Sequence, residues 1–252
     1  MARVERKSPD VHKKTIRLNK FLAMAGKGSR RKNDELILSG VVKVNGKIVT
    51  ELGVQVNPDR DRVSVQGQPV TLAQKSVYIV LNKPKDCITT MSDERGRTTV
   101  MDYVKQKERI YPVGRLDRNT TGVLLFTNEG ELAHALMHPT TGLEKVYHVR
   151  VDKELTELSL QKLRRGVRLD DGKAKAERVE ILPRSRRLEA IVTVVEGRNR
   201  IIRRMFEELG YDVKRLDRIS FCGVTTERLA RGRWRYLTIA EVKALRALAG
   251  MT

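Results

Sequence analysis

The stretch GRLDRNTTG (114–122), followed at once by VLLFT (123–127), decides how this chain is interpreted. Its turn-forming residues predict a loop, and the apolar run after it predicts a buried strand. The loop carries one carboxylate, Asp117, between Arg115 and Arg118. A loop aspartate is commonly a turn or salt-bridge residue, but one beside a rigid strand can also be held ionised for chemistry. Asp117 is therefore a candidate catalytic group.

Around this loop, the apolar pattern predicts further strands and helices beyond residue 76. The predicted strands cover residues 77–83, 122–127, 145–151, 177–183 and 188–195, and the predicted helices cover 130–138, 154–165, 198–209 and 239–248. Strands and helices do not alternate regularly, and the chain has no internal repeat. We therefore predict an α+β domain over residues 76–250, with a mixed, largely antiparallel sheet flanked by helices.

The segment before this domain has a different pattern. IRLNKFLAMAG (16–26) and SRRKNDELILSG (29–40) predict two short helices, the second capped by Ser29. VVKVNGKIV (41–49) predicts a hairpin, because its Asn-Gly pair favours a type I′ turn. RVSVQG (62–67) predicts one more strand. Together these elements predict a small, separate domain.

The chain is strongly basic. It has 51 Lys and Arg against 31 Asp and Glu, a formal net charge of +20, which is the sign that attracts phosphate. Residues 1–15 are charged and aperiodic and are predicted to form a flexible basic arm, whereas residues 16–72 form the small domain with a phosphate-binding face. The predicted RNA-binding residues of this face are Lys20, Lys27, Arg30, Arg31, Lys32, Lys43 and Lys47. Nucleic acid is the expected partner.

Several other classes of site are not supported. Cys87 and Cys222 are isolated, which argues against a zinc ribbon or structural disulfides and fits a reducing compartment. His134 and His138 are one helical turn apart, but the glutamate of a zinc-protease motif is missing between them. There is no phosphate-binding glycine loop, signal peptide or apolar stretch long enough to span a membrane. We expect a cytoplasmic monomer without metal or cofactor.

Four segments resemble the motifs of one enzyme family. GRLDRNTTG (114–122) resembles the family II signature of the pseudouridine synthases. LNKPKD (81–86), EKVYHVRV (144–151) and EGRNRIIRRMF (196–206) are similar to the first, the tyrosine and the third motifs. The whole chain resembles the branch that includes RsuA, RluB, RluE and RluF. The helix-helix-hairpin unit from residue 16 to about 72 resembles the S4 RNA-binding domain.

The resemblance implies that the protein isomerises a specific uridine in ribosomal RNA, 23S rather than 16S, in free RNA or in pre-ribosomal particles. The reaction breaks the N1–C1′ bond, turns the uracil and rejoins it through C5. A carboxylate suits this chemistry because it can trap a ribosyl cation at C1′ or add to C6 of the base. A route that first removes the C2′ proton to make a glycal stays open as well.

The resemblance also implies roles for individual residues. The expected catalytic residues are Asp117, Tyr147 and Arg203, and the expected substrate-binding residues are Arg115, Ile202 and Lys83. The Arg203 guanidinium is expected to pair with the Asp117 carboxylate, and Tyr147 to lie over the base or sugar. Ile202 is expected to pack on the uracil, and Arg115 to enter the stack that a flipped uridine leaves. Without the resemblance, Tyr147 and Ile202 would be core residues and Arg115 a phosphate contact.

Two positions depart from the family pattern: Asp86 stands where glycine is common, and Ile201 where glutamine or glutamate is usual. The first alters a turn, and the second removes a polar group near the expected active site. A non-catalytic S4-type rRNA-binding assembly factor would explain the charge equally well, but not the recurrence of Asp117, Tyr147 and Arg203 in separate motifs. An S4-linked methyltransferase would need a glycine-rich loop after a strand, which the sequence lacks.

Overall fold

A computed structural model describes residues 15–72 and 75–251. The chain divides into two compact units, the first ending at Lys75 and the second beginning at Ser76. The basic arm predicted for residues 1–15 lies outside the described residues, except for Thr15.

The first unit combines two helices with two small antiparallel sheets. Its elements are β1 (Ile16–Arg17), α1 (Leu18–Met24), α2 (Arg30–Leu38), β2 (Val42–Val44), β3 (Lys47–Ile48), β4 (Gln55–Val56), β5 (Val63–Val65) and β6 (Gln68–Val70). Strands β3, β2, β5 and β6 form one sheet in that order, and β1 pairs with β4. The two helices, the hairpin and the following strand that the sequence predicts are confirmed.

The helices of this unit form where apolar residues recur at helical spacing. Phe21 and Leu22 of α1 are buried and pack with Ile37 of α2 in one core. The Ser29 hydroxyl accepts a hydrogen bond of 3.1 Å from the Lys32 amide and caps α2 as predicted.

The hairpin between β2 and β3 turns at Asn45 and Gly46. Their φ angles are 52° and 83°, the two positive values that a type I′ turn requires. The Asn45 side chain also donates to the Asp61 carboxylate at 2.8 Å and accepts from the Arg62 amide at 2.9 Å. The turn is therefore fixed to the segment that leads into β5.

The second unit is built on a nine-stranded sheet. Its elements are β7 (Tyr78–Lys83), β8 (Tyr111–Pro112), β9 (Thr121–Thr127), α3 (Gly130–Met137), β10 (Lys145–Val151), α4 (Glu157–Arg165), β11 (Val167–Leu169), β12 (Gly172–Ala174), β13 (Arg178–Ile181), β14 (Glu189–Val194), α5 (Ile201–Glu208), β15 (Val213–Phe221), β16 (Val224–Thr225), β17 (Trp234–Tyr236) and α6 (Ile239–Leu248). The main order is β13-β14-β10-β15-β9-β7-β17, with β16 beside β15 and β8 beside β9. Strands β11 and β12 form a separate hairpin.

The sheet is mixed and largely antiparallel, as predicted: within it, the pairing of β15 with β9 is parallel and the other recorded pairings are antiparallel. Helices α4 and α5 pack on one face, against a core that includes Val149 and Val192. Helices α3 and α6 pack on the other face, against Val80, Val123 and Leu125. Because β7 and β9 are covered on both faces, their sequences are almost continuously apolar.

The five strands and four helices predicted for this unit are present. The ends differ most at α4 and α5, which begin at Glu157 and Ile201 instead of residues 154 and 198. The sequence does not predict β8, β11, β12, β15, β16 or β17. The largest omission is β15, which has 9 residues and lies in the middle of the sheet.

Candidate active site

A cavity of about 610 Å³, the first cavity, opens beside the loop that the sequence singles out. Asp117 and Arg115 line it from this loop, Tyr147 lines it from β10, and Ile202 lines it from the first turn of α5. Residues from three separate motifs are therefore brought together. Asp117 is half-buried, and within the described parts of the chain its carboxylate makes no hydrogen bond or ion pair.

The loop owes its conformation to Lys83, the last residue of β7. Lys83 is fully buried, and its ammonium donates hydrogen bonds of 2.9–3.2 Å to the carbonyl oxygens of Pro84, Asp117, Arg118 and Thr120. Burial lowers the pKa of this ammonium below its ordinary value. These bonds use the donors of Lys83 inside the protein and fix the Asp117 loop, so the substrate contact expected of Lys83 stays a prediction that the geometry does not support.

A threonine holds the other side of the loop. The Thr89 hydroxyl donates to the Leu116 carbonyl at 2.7 Å and accepts from the Leu116 amide at 3.2 Å. The Thr120 amide closes the turn by donating to the Asp117 carbonyl at 3.1 Å. The backbone around Asp117 is thus fixed on both sides, which pre-organises its carboxylate.

Strand register brings Tyr147 next to an arginine that no motif singles out. Tyr147 on β10 pairs with Arg218 on β15, and Arg218 pairs with Gly122 on β9. A Cβ at Gly122 would lie 2.2 Å from the Arg218 carbonyl oxygen and 2.5 Å from a carboxylate oxygen of Asp217, and the φ of Gly122 is +105°. Glycine is required here because β9 and β15 approach closely. This approach brings the Asp117 loop close to the paired residues Tyr147 and Arg218.

Arg218 supplies a buried guanidinium to the first cavity. It is 4% exposed, its Nε donates to the Val123 carbonyl at 2.8 Å, and its guanidinium carbon lies 4.8 Å from the centre of the Phe221 ring. In the described chain its Nη2 is buried without a hydrogen-bond partner. Leaving such a donor unpaired costs about 1–3 kcal/mol. Arg218 therefore has one donor that its own protein contacts leave unused.

Arg203 lies elsewhere, which corrects the expected ion pair with Asp117. Its guanidinium donates to the Val213 carbonyl at 2.7 Å and lines a different cavity. It is absent from the described residues that line the first cavity. The helix explains the difference: Ile202 faces the first cavity, and the next residue of α5 is rotated by about 100° around the axis.

A charged hairpin fixes the wall of the first cavity that precedes α5. Arg198 donates to the Asp171 carboxylate at 2.7 Å, and Arg204 donates to the carboxylates of Asp170 and Asp171. Asp170 and Asp171 form the turn between β11 and β12. Their contacts hold residues 197–200, which line the cavity. These ion pairs could not be predicted from the sequence, since the two aspartates belong to no motif.

Two more residues line the first cavity: Lys145, which was not assigned from the sequence, and Ile201, which was noted only as a departure from the family pattern. The Lys145 ammonium donates to the carbonyls of Leu143 at 2.8 Å and Val195 at 2.7 Å, and burial lowers its pKa. Ile201 is 5% exposed and gives an apolar wall where the family pattern has a polar side chain.

The other departure, Asp86, has a structural explanation. Its φ is 60°, in the left-handed region that favours glycine, which is the residue common at this position. Its carboxylate lies 3.4 Å from Nε of Arg118, and both side chains are more than half exposed. The ion pair joins the first motif to the Asp117 loop.

The predicted RNA-binding face belongs to the first unit. Lys20 is half-buried, and the exposed members are Lys27, Arg30, Arg31, Lys32, Lys43 and Lys47. Three of them occupy the first turn of α2, which has no acidic residue. The helix dipole disfavours cations at this end of α2. An anionic ligand bound there would compensate this repulsion.

Metal ligands do not gather in the described residues: no group of three or more His, Cys, Asp and Glu side chains could hold an ion there. The rings of His134 and His138 lie 5.6 Å apart. Cys87 and Cys222 are buried free thiols. None of the helices in residues 15–72 and 75–251 has the length and apolar character needed to cross a membrane.

Known proteins match both units. Residues 77–208 match the RNA pseudouridylate synthase family, and residues 16–63 match the S4 domain. The chain is 44% identical to ribosomal large subunit pseudouridine synthase B of Bacillus subtilis, over 92% of this chain and 96% of that protein. It is 40% identical to the protein of the same name from Haemophilus influenzae, over 93% of this chain and 68% of that protein.

A solved structure described as a pseudouridylate synthase has the same fold. It superposes with a TM-score of 0.66 at 29% identity and covers 91% of this chain and 99% of its own. An uncharacterized RNA pseudouridine synthase of Aquifex aeolicus is 41% identical over 94% of this chain and 96% of that protein. The resemblance drawn from the four motifs is confirmed, and the chain belongs to the RNA pseudouridine synthases, with an S4 domain at its N-terminal side.

Proposed function

We propose that this protein converts a specific uridine of large-subunit ribosomal RNA to pseudouridine, with Asp117 as the catalytic carboxylate. One observation carries the proposal: Asp117 stands in the family signature and shares a cavity with Tyr147 and Arg218. The relatives from Bacillus subtilis and Haemophilus influenzae are named as enzymes of the large ribosomal subunit, which supports this RNA as the substrate.

The Asp117 carboxylate has the chemistry that the reaction needs. When the N1–C1′ bond breaks, positive charge develops on the ribose, and an ionised carboxylate stabilises that charge or traps it as an ester. Addition to C6 of the uracil, and removal of the C2′ proton to form a glycal, are the other two routes. All three need Asp117 ionised and aimed at the nucleoside, and its fixed backbone serves that aim.

We assign to Arg218 the role that the motifs suggest for Arg203. A guanidinium beside a carboxylate favours the charged form and orients it through charge-assisted hydrogen bonds. Arg218 lines the same cavity as Asp117 and has a buried Nη2 without a partner in the described chain, whereas Arg203 is bonded to a carbonyl outside that cavity. Tyr147, next to Arg218 in the sheet, is proposed to contact the base or sugar.

The uridine must leave the RNA stack to reach Asp117, at a cost of a few kcal/mol. Arg115 is exposed at the cavity, and a planar guanidinium stacks well in the gap that the base leaves. Ile202 is 2% exposed and Tyr147 is 8% exposed, so both offer rigid faces to the extracted uracil. These contacts are made only by the flipped nucleotide.

The S4 unit, residues 16–72, is proposed to anchor the RNA, with the basic first turn of α2 and the hairpin on its phosphates. The cations of this helix turn and of the hairpin are exposed, and phosphate contacts of this kind give affinity without sequence selection. The catalytic unit, residues 76–250, then selects the uridine.

The test replaces Asp117 with asparagine. We expect Asp117→Asn to bind unmodified large-subunit rRNA within about two-fold of the wild type, because the amide keeps the shape of the side chain. We expect no pseudouridine, because the negative charge is lost. Binding is measured by filter retention, and pseudouridine by chemical mapping of the RNA after incubation.

Asp86→Asn is the matched control, since it removes a carboxylate from the neighbouring turn while leaving the first cavity intact. It should retain activity. Wild-type yield from Asp117→Asn would reject the catalytic assignment. If the wild-type protein itself binds the RNA but forms no pseudouridine, the alternative of a non-catalytic assembly factor is correct.

A further inference from the structure

A second cavity, of about 770 Å³, is lined by residues of β10, β15 and α5 and by the Asp117 loop. His148 and Arg150 line it from β10, where they alternate with Tyr147 and Val149 of the opposite face. The proposed reaction makes no use of this cavity. Its basic lining residues are Lys85, Arg150, Arg203, Lys214, Arg215 and Arg231.

Acidic residues neutralise only part of this charge. The pairs are Glu189 with Arg150 at 3.7 Å, Asp212 with Lys214 at 2.6 Å and Asp217 with Arg231 at 2.6 Å. Within residues 15–72 and 75–251, Lys85, Arg203 and Arg215 have no acidic partner. An excess of positive charge therefore faces the second cavity and attracts anions.

Strand register sets two of these arginines against each other. Arg150 on β10 pairs directly with Arg215 on β15, so both side chains project from the same face. Like charges at directly opposite positions destabilise an antiparallel pair. Both side chains are exposed, and Glu189 compensates only the Arg150 charge. An anion bound between the two guanidinium groups would remove the repulsion.

The second cavity adjoins the first through the Asp117 loop. Asp117 and Thr120 line the first cavity, whereas Asn119 and Thr121 line the second. The loop that carries the catalytic carboxylate is thus a rim common to both. An RNA strand whose uridine enters the first cavity would have its neighbouring backbone close to the second.

We propose that the second cavity binds phosphodiester groups of the substrate RNA beside the modified nucleotide. The inference rests on the proposed function, since it takes RNA as the substrate. Phosphate is the ligand that suits the site, because arginine presents paired N–H donors to its oxygens. The lining contains six Lys and Arg side chains and no Phe, Tyr or Trp, which favours contacts with phosphate over stacking of bases.

The test removes the facing arginines. Arg150→Gln/Arg215→Gln should weaken binding of unmodified large-subunit rRNA by about ten-fold at low salt. The slope of log K against log salt should fall by about one to two, because each phosphate contact contributes about 0.7–0.9. Pseudouridine formation should be slower at subsaturating RNA, and raising the RNA concentration should recover the rate, since neither arginine lines the first cavity.

The matched control is Arg165→Gln/Arg168→Gln, which removes two exposed arginines from the same unit outside the second cavity. It should leave the slope unchanged. Equal slopes for the two double variants would overturn the proposal. Arg215→Gln alone, with about half the effect, replaces the double variant if that one unfolds.

The measurements distinguish failure of the proposed reaction from failure of the phosphate site. A slope that falls while the wild-type protein forms no pseudouridine supports the phosphate site and rejects the chemistry. Normal pseudouridine formation together with an unchanged slope rejects the phosphate site alone.

Discussion

The two cavities share one loop but hold their charges in opposite ways. In the first cavity, Arg218 is 4% exposed and Asp117 is half-buried. In the second cavity, Arg150 and Arg215 are exposed on strands of the same sheet. Charges interact more strongly when they are shielded from water, and they exchange partners more easily when they are exposed. The first arrangement suits chemistry on one nucleoside, and the second suits the repeated charge of a backbone.

The largest effect on the rate of pseudouridine formation is expected at Arg218, and a much smaller one at Arg203. Arg218→Gln should lower the rate of pseudouridine formation by about 10²–10³, because it removes the guanidinium proposed to keep the Asp117 carboxylate charged and oriented. Arg203→Gln should lower it far less, since Arg203 lies at the second cavity. Single-turnover kinetics with saturating RNA measures both. A larger loss for Arg203→Gln would restore the assignment made from the motif.

A second large effect is expected on the stability of the fold, at Gly122, where β9 closely approaches β15. Gly122→Ala should destabilise the fold by about 2–4 kcal/mol, because the new Cβ would meet the backbone of β15 and the φ is unfavourable. Gly223→Ala is the control, since Gly223 has a φ of +80° but nothing within 4 Å of its Cβ. It should cost about 1 kcal/mol. Urea unfolding separates the two, and equal losses would mean that strand approach at Gly122 is unimportant.

The sequence could predict the elements whose apolar pattern is complete. Strands β7 and β9 are almost entirely apolar, and the Asn45-Gly46 turn has a strong local signal. Strand β15, VKRLDRISF, was missed because its buried or half-buried positions include Arg218 and Asp217. Thr121 and Arg231 donate to the Asp217 carboxylate, and the Val123 carbonyl accepts from Nε of Arg218, and all three residues are distant in sequence. No local pattern could reveal those partners.

The sequence indicated some residues of the candidate site but not how their side chains are arranged. The motifs indicated Asp117 and Tyr147, and both residues line the first cavity. They could not give the direction of Arg203, which depends on where α5 begins, or the burial of Lys83 under four carbonyl oxygens. Residue type indicates that a basic group belongs near the site. The strand register, which pairs Arg218 with Tyr147, indicates which arginine lines the same cavity as Asp117.

A smaller effect on the reaction rate should distinguish the residues that support the first cavity from those that line the second. Asp171→Asn weakens the contacts to Arg198 and Arg204 that hold residues 197–200 in the first cavity. We expect a rate loss of about three- to ten-fold at subsaturating RNA, with little change in the salt slope. Asp212→Asn, at the second cavity, is the control and should leave the single-turnover rate unchanged. Equal rates for Asp171→Asn and wild type would show that the hairpin turn does not support the wall.

The smallest effect is expected at Asp86, whose ion pair with Arg118 lies on the rim between the cavities. Asp86→Gly relieves a left-handed φ of 60° but loses an exposed ion pair, so stability should change by less than about 1 kcal/mol. Asp86→Ala loses the same ion pair and keeps the unfavourable φ, so it should be less stable than Asp86→Gly by about 1 kcal/mol. Urea unfolding of both variants therefore separates backbone strain from the ion pair. If Asp86→Ala were the more stable of the two, strain would not explain why glycine is common at this position. If both variants changed the reaction rate and the salt slope, the ion pair would be a link between the two cavities.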